Sequence, residues 1–241
     1  MGKLLALLEQ GASPNKEHKT YTAFHLSAKL GSIEQMEILL DYDADVNLKS
    51  RAHADTPLHM ATYSRNPRKV QLLINRGADV NAHDPGSEPI LHQALTSGCG
   101  VDIITMLLGN NASVTAENHT GRTALHHAVY LYQEDKARIL LEYGANPNAR
   151  DLDGRTPLHS AVASDRISLD FIRHLVAVGA DIRIEDNDGR TSLHEAVHHR
   201  RQEVIRFLME QTPNYRSLYP ELEKHIEVAL SGKSMLGLFL P

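Results

Sequence analysis

The sequence has few of the large side chains on which globular cores are usually built. Its 241 residues contain no Trp, and the aromatic content is only 5%. Hydrophobic residues still make up 41% of the chain and charged residues 23%, which excludes disorder on composition. Many small and few bulky side chains predict thin, closely packed layers in place of one deep core.

Cysteine is nearly absent as well. Cys99 is the single cysteine, so no disulfide can form within the chain, which is typical of a reducing compartment. The apolar run at residues 4–8 is too short for a signal peptide, and no stretch approaches the roughly 18 apolar residues of a membrane span. We therefore expect a cytoplasmic or nuclear chain that does not contact a membrane.

An excess of basic residues is also missing. The chain has 25 Lys and Arg against 30 Asp and Glu, which gives a formal net charge of −5, and both halves share this deficit. Proteins that bind nucleic acid usually carry a basic patch or arm. The charge balance therefore argues against nucleic acid as a partner.

What the sequence does contain is a repeat of 33 to 35 residues, marked by two ladders. The first ladder is a Thr/Pro–apolar–His pattern, and its histidines are called the signature histidines below: His25, His59, His92, His126, His159 and His194. The second ladder is an alanine preceded by Gly, Asp or Asn: Ala12, Ala44, Ala78, Ala112, Ala145 and Ala180. Two ladders in phase over six cycles indicate a repeat protein.

Each repeat contains the signals of two helices and a loop. Thr before the motif is a helix N-cap residue, and Pro directly after it suits the first helical position. A second apolar stretch with helical spacing follows, as at residues 70–74 and 138–141. Gly, Asn and Asp before the marker alanine are the residues that tolerate the left-handed conformation ending a helix.

These motifs resemble the ankyrin repeat family, whose T-P-L-H-x-A signature and L-L-x-x-G-A-D-x-N ending both recur here at the family's period. The resemblance covers about residues 4–212. Tetratricopeptide repeats have a similar period but expect a Trp and another internal pattern. The resemblance implies an all-α fold, an α-solenoid in which each repeat is a helix–turn–helix followed by an extended, hairpin-like loop.

The repeats predict the domain organisation. We expect an array over residues 1–212, with a partial repeat at 1–16 and six repeats that each contain one signature histidine. Residues 213–241 are expected to form a capping helix, near Pro220–Leu230 with Leu222, Ile226 and Leu230 on its apolar face, and an apolar tail. Residues 235–241 either pack on the last repeat or lead into a longer polypeptide.

Two segments resemble catalytic motifs. His194-Glu195-Ala196-Val197-His198 matches the H-E-x-x-H pattern of zinc hydrolases, but His194 is also the sixth signature histidine, and the structural interpretation is favoured. Residues 231–234 read Ser-Gly-Lys-Ser, yet the phosphate-loop pattern requires a Gly at the position of Glu227. We expect no catalytic residue, no metal site and no cofactor.

In proteins of this family the loop tips and the exposed side of the first helices usually bind the partner. The loop row, three residues before each signature Leu or Phe or its equivalent, consists of Tyr21, Asp55, Glu88, Arg122, Arg155 and Arg190. The helix row, four residues after each signature histidine, includes the candidates Tyr63, Tyr130 and His198. Tyr and Arg are favoured as interface anchors, and Arg suits an acidic or phosphorylated segment. The alternative is that Arg155 and Arg190 merely pair with Asp153 and Asp188.

The sequence therefore predicts a non-catalytic scaffold that binds a protein or peptide on its concave face, as a monomer or as part of a larger chain. A second hypothesis is a recognition or regulatory domain of a larger enzyme, channel or receptor. A remote third is a metal-dependent hydrolase that uses the segment at residues 194–198.

Overall fold

The fold is all α-helical, as the repeat predicts. The computed structural model describes residues 2–51, 53–82 and 88–231, and these form helices and no strand. One isolated antiparallel bridge joins His18 and Tyr21. The chain divides into two compact units, Met1–His119 and Thr120–Pro241. None of the described helices combines the length and apolar character that crossing a bilayer requires.

The first unit contains three helix pairs preceded by a single helix. Its helices are α1 (Gly2–Glu9), α2 (Ala23–Leu30), α3 (Ile33–Asp41), α4 (Pro57–Ser64), α5 (Pro67–Asn75), α6 (Ile90–Thr96) and α7 (Val101–Gly109). Within each pair the two helices contact each other. The first helices also contact one another in the order α2, α4, α6, and the second helix α5 contacts α7.

The second unit contains three further pairs and two C-terminal helices. Its helices are α8 (Ala124–Tyr130), α9 (Glu134–Glu142), α10 (Pro157–Val162), α11 (Leu169–Ala177), α12 (Ser192–His198), α13 (Gln202–Gln211), α14 (Tyr215–Leu218) and α15 (Leu222–Ser231). The first helices α8, α10 and α12 stack in order, and α15 packs against both α12 and α13.

Small residues allow the first helices to approach closely. Two positions after the signature histidine stands a fully buried alanine in five of the six cases: Ala61, Ala94, Ala128, Ala161 and Ala196. The sixth is Ser27, which is 7% exposed. Phe24 and Phe171 are the largest fully buried side chains. The layers are therefore thin, which is the packing that the low aromatic content predicts.

Five of the six signature histidines close the start of their own first helix; the exception is His92, where Pro89 takes the place of the N-cap Thr. In five repeats the N-cap Thr donates its main-chain N–H to the histidine Nδ1, over distances of 3.1 to 3.4 Å. In the first of these, the histidine N–H donates in turn to Oγ1 of Thr22. This reciprocal pair satisfies main-chain donors that a helix start would otherwise leave unpaired.

The other ring nitrogen ties the repeat to its successor. In three of the signature histidines, Nε2 donates to a main-chain carbonyl of the next repeat. These bonds run from His25 to Asp55 over 3.0 Å, from His126 to Arg155 over 3.0 Å, and from His159 to Arg190 over 3.1 Å. A carbonyl can only accept, so the proton of the neutral ring lies on Nε2 and Nδ1 is the acceptor. Burial lowers the pKa of these three imidazoles below their ordinary 6.5.

The second helices end as the residue before each marker alanine predicts. That residue has positive φ before all six marker alanines, at Gly11, Asp43, Gly77, Asn111, Gly144 and Gly179. The N–H of the following alanine returns to the carbonyl five residues earlier, as in Ala145 to Leu140 at 2.9 Å. These are the bonds of a left-handed helix end, and they turn the chain toward the loop.

An asparagine amide links the turn of one repeat to the turn of the next. Asn47 donates Nδ2–H to the Gly77 carbonyl over 3.0 Å, and its Oδ1 accepts from the Asp79 N–H over 2.8 Å. Asn15, Asn81 and Asn148 make the same pair of bonds to the turns that follow them. One side chain thus satisfies two main-chain groups of the neighbouring repeat.

Helix α15 follows the last helix pair and packs against both of its helices. Its buried residues are Leu222, Ile226 and Ala229, whereas Leu230, which we expect on the apolar face, is partly exposed. The predicted helix starts two residues earlier than the observed one. The predicted apolar tail at residues 235–241 lies outside the described residues. The domain bounds at 212 and 213 stay a prediction.

We predict that acidification below about pH 6.5 weakens the fold. The unfolded chain binds protons on His25, His126 and His159 near pH 6.5, whereas the folded chain binds them at lower pH, so stability is full above 6.5 and is lost as pH falls. Urea unfolding at pH 8.0, 7.0, 6.0 and 5.5 measures the free energy of unfolding. A His126→Gln variant should start less stable and show a shallower pH slope; an equal slope would contradict this account.

We predict that Asn47→Ala lowers the free energy of unfolding by about 1–2 kcal/mol, because it removes two hydrogen bonds to main-chain groups. Asn47→Asp keeps the acceptor for the Asp79 N–H, so its free energy of unfolding should lie between those of the unchanged chain and of Asn47→Ala. Asn75→Ala is the control, since this exposed amide accepts from Gln71 of its own helix over 2.7 Å and does not bond to the turn of another repeat in the described structure. Equal midpoints in urea for Asn47→Ala and Asn75→Ala would refute the linking role.

Candidate partner-binding surface

In the first unit, the predicted candidates form a small polar and aromatic cluster. The Tyr21 hydroxyl donates to Oδ2 of Asp55 over 3.5 Å. Burial, followed by the charge of Asp55 and the proximity of Tyr63, raises the pKa of Tyr21. Tyr63 is 42% exposed, and the Lys29 ammonium lies 4.4 Å from its ring centroid. Glu88 faces His119, whose Nδ1 is 3.5 Å from the carboxylate.

In the second unit, buried aspartates hold the main chain of the loop row. Oδ1 of Asp151 accepts from the N–H of Arg155, and Oδ1 of Asp186 accepts from the N–H of Arg190, both over 2.9 Å. The N–H of each aspartate returns to the carbonyl of the same arginine, over 3.0 and 2.8 Å. The main-chain positions of Arg155 and Arg190 are therefore fixed from both sides before any partner arrives.

The guanidinium groups of Arg122 and Arg155 each contact a carboxylate that is more deeply buried than the arginine side chain. Arg122 Nε contacts Asp151 Oδ2 at 3.1 Å, with the two side chains 30% and 2% exposed. Arg155 contacts Glu195 at 3.3 Å, with side chains 28% and 7% exposed. Arg190 is exposed, and within the described part of the chain it makes no ion pair. The row presents cationic groups outward while the carboxylates stay inside.

The alternative pairing of these arginines is only partly correct. Carboxylates do neutralise Arg122 and Arg155, but the partners are Asp151 and Glu195. The main-chain N–H groups of Asp153 and Asp188 donate to the carboxylates of Asp151 and Asp186, respectively. This difference arises because the turn places the first aspartate of each Asp-x-Asp-Gly-Arg segment beneath the loop.

The helix row of this unit is exposed. Tyr130 at the end of α8 is 58% exposed, and the Arg122 guanidinium lies 5.5 Å from its ring centroid. His198 at the end of α12 is exposed and meets the ring of His199 edge-on, with centroids 5.0 Å apart. Arg122, Tyr130, Arg190 and His198 thus offer both charge and flat ring surfaces to solvent.

The segment at residues 194–198 performs structural tasks. His194 accepts at Nδ1 from the Thr191 N–H, and its Nε2 lies 3.3 Å from Oε1 of Glu221 on the capping segment. Glu195 is buried and engages Arg155 and, at 3.6 Å, His199. Among residues 2–51, 53–82 and 88–231, no three His, Cys, Asp or Glu side chains converge as metal ligands would.

Asp151, Asp186 and Glu195 are the site residues that the sequence analysis misses. A signal for the first two exists, because the spacing Asp-x-Asp-Gly-Arg recurs at residues 151–155 and 186–190. No comparable signal identifies Glu195, whose partner Arg155 is 40 residues away along the chain. In the first unit, Ser50 fills the role of the aspartates, since its Oγ accepts from the Asp55 N–H over 3.1 Å.

The comparisons agree with this architecture. A family model described as ankyrin repeats, three copies, matches residues 2–84, 91–186 and 150–217. The crystal structure of the ankyrin repeat domain of Bcl-3, a member of the IkappaB family, superposes with a TM-score of 0.71 at 26% identity. This match covers 81% of the present chain and 86% of the Bcl-3 chain.

Two of the curated relatives are much longer than this chain. Human ankyrin repeat and SOCS box protein 6 is 34% identical over 169 residues, which cover 59% of this chain and 40% of that protein. The Drosophila melanogaster transient receptor potential channel pyrexia is 36% identical over 135 residues, 56% of this chain and 14% of the channel. The chain thus spans less than half the length of these relatives. Repeats, fold and comparisons together show that the chain belongs to the ankyrin repeat family.

Proposed function

We propose that the chain binds a protein or peptide through the face of the second unit that carries the arginines of the loop row and Tyr130 and His198 of the helix row. Ankyrin repeats are protein–protein interaction modules, and their fold is typically non-catalytic. The observation that carries the proposal is the arginine row of the second unit, in which Arg190 is exposed and Arg122 and Arg155 lie outward of buried carboxylates. Arg190 can bind an acidic group without first giving up an ion pair among the described residues, whereas Arg122 and Arg155 keep part of their side chains exposed beside their buried carboxylates.

Pre-organisation supports this proposal. The signature histidines and buried aspartates fix the main chain of Arg155 and Arg190, so their backbone loses little freedom when a partner binds. Affinity is otherwise reduced by the ordering of loops and side chains on association. A loop that is already ordered therefore binds more tightly than a mobile loop with the same side chains.

The preferred partner segment is acidic or phosphorylated. Arg122 and Arg155 are each about one-third exposed, and Arg190 is exposed. A guanidinium binds carboxylate and phosphate oxygens through two parallel N–H donors. Tyr130 beside Arg122 adds a rigid ring of the kind that anchors interfaces.

A second candidate is that this module is the recognition part of a larger protein. The relatives include a channel, pyrexia, and human neurogenic locus notch homolog protein 1, of which the matched segment covers only 14% and 6%. An antibody against residues 120–231 should then detect a native polypeptide well above 26.8 kDa in the source cell. A single band at that mass would favour a free-standing scaffold.

We predict that replacing Arg122, Arg155 and Arg190 together by Gln abolishes capture of the partner from a lysate of the source cell. Three charge-assisted contacts are lost, which lowers affinity by at least tenfold. The matched control replaces three other exposed arginines, Arg68, Arg200 and Arg206, by Gln. Circular dichroism and thermal melting verify that each variant is folded; equal capture by both triple variants would refute the arginine row.

We predict that Tyr130→Ala weakens partner binding by about tenfold or more while the melting temperature changes little. The ring is exposed, so its loss removes interface contacts and few internal ones. Tyr143→Ala is the control, because Tyr143 is 44% exposed at the end of α9 and outside both rows. Titration calorimetry with the captured partner measures the dissociation constant of each variant. Equal weakening by Tyr130→Ala and Tyr143→Ala would contradict a role for Tyr130 in the interface.

A further inference from the structure

A cleft of about 260 Å³ opens between the last first helix and the capping helix of the second unit. Its walls include Val197 and His198 of α12 and Leu222 and His225 of α15, and Arg190 of the loop row stands at its edge. Val197 and Leu222 are 3% and 7% exposed and belong to the hydrophobic core. The cleft therefore continues the loop row into a depression.

The interior of this cleft is overwhelmingly apolar although several lining residues are polar. The reason is that their polar tips are engaged elsewhere. His194 uses Nδ1 for Thr191 and Nε2 for Glu221, and Glu195 turns its carboxylate to Arg155. Ring faces and methylene groups are left to form the wall, as long polar side chains do when their heads are bound.

The size of the cleft indicates one side chain of a partner. A cavity of roughly 150 Å³ accommodates a benzene ring, so 260 Å³ holds a Leu, Met or Phe side chain with room to spare. Sites for drug-sized ligands start at roughly 300 Å³. A protruding apolar residue of a peptide fits this cleft better than a metabolite does.

The charge at the edge indicates what flanks that residue. Arg190 is exposed and forms no ion pair among the described residues, while the two nearby carboxylates face Arg155 and His194. The next guanidinium outward along the loop row is that of Arg155, whose partner Glu195 is buried. The edge nearest the loop row is therefore complementary to a carboxylate.

We propose that the cleft between α12 and α15 is an anchor site for a Leu, Met or Phe side chain of a partner peptide, with an adjacent Asp or Glu of that peptide bound by Arg190. This inference rests on the proposed function. It adds the place where the partner inserts an apolar residue and the chemical type of that residue. Burial of such a residue supplies affinity, and the arginine sets the orientation of the peptide.

The test uses acetylated seven-residue peptides with Leu, Phe, Ala or Lys at the centre, flanked by Asp on both sides and capped with Gly and Ser. Chemical shift changes of the full chain measure the dissociation constants at neutral pH. We expect the Leu and Phe peptides to bind at least tenfold more tightly than the Ala peptide. Arg190→Gln should weaken the Leu peptide, and Arg206→Gln is the matched control.

Val197→Phe fills the cleft and should abolish the advantage of Leu over Ala while melting stays cooperative. Leu222→Phe serves as a second filling variant if the first fails to fold. Equal binding of the Leu and Ala peptides, or no binding of any peptide at millimolar concentration, would overturn the anchor site. After either of these negative results, the proposed function is still supported if the triple arginine variant fails to capture the natural partner.

Discussion

A hydrogen bond from a neutral imidazole to the main-chain carbonyl of the next repeat connects the local and the long-range structure of each unit. In His25, His126 and His159, the same ring accepts from the N-cap Thr and donates to Asp55, Arg155 and Arg190, respectively. Only one tautomer performs both tasks. The ring therefore closes a helix start and positions the following loop at once. At the last repeat, where no loop follows, His194 turns to the carboxylate of Glu221.

Features within one repeat could be predicted from the sequence, because their causes are local. Thr and Pro at helix starts, and Gly, Asn or Asp at helix ends, act through main-chain groups a few residues away. The partners of the arginines could not be predicted in this way. Arg155 meets Glu195, and the choice of Glu195 over the nearby Asp153 depends on how the loop folds back on Asp151. Sequence distance is a poor guide when the loop bends sharply.

The scarcity of aromatic residues and the nature of the candidate surface have a common cause. Fully buried alanines such as Ala128 and Ala161 bring the first helices close together, and a bulky ring at these positions would push them apart. Several of the tyrosines lie outside the core, with Tyr63, Tyr130, Tyr132 and Tyr143 all more than one-third exposed. A fold that has little room for rings in its interior leaves them available to a partner.

Within each repeat, the residues that satisfy the main chain differ from those of the loop row. One scaffold can therefore present different chemistry at each repeat. Thr, His, Asn and buried Asp satisfy the main chain, and none of these bonds uses the side chain of a loop-row residue. The loop row can therefore change from Asp55 to Arg155 while the carbonyl of either residue accepts the same imidazole N–H. Because Ser50 replaces Asp151 beneath the loop without loss of the supporting hydrogen bond, the support also tolerates variation. The main-chain support of the loops is thus independent of the side chains that the loop row carries, which is why the fold alone does not identify a partner.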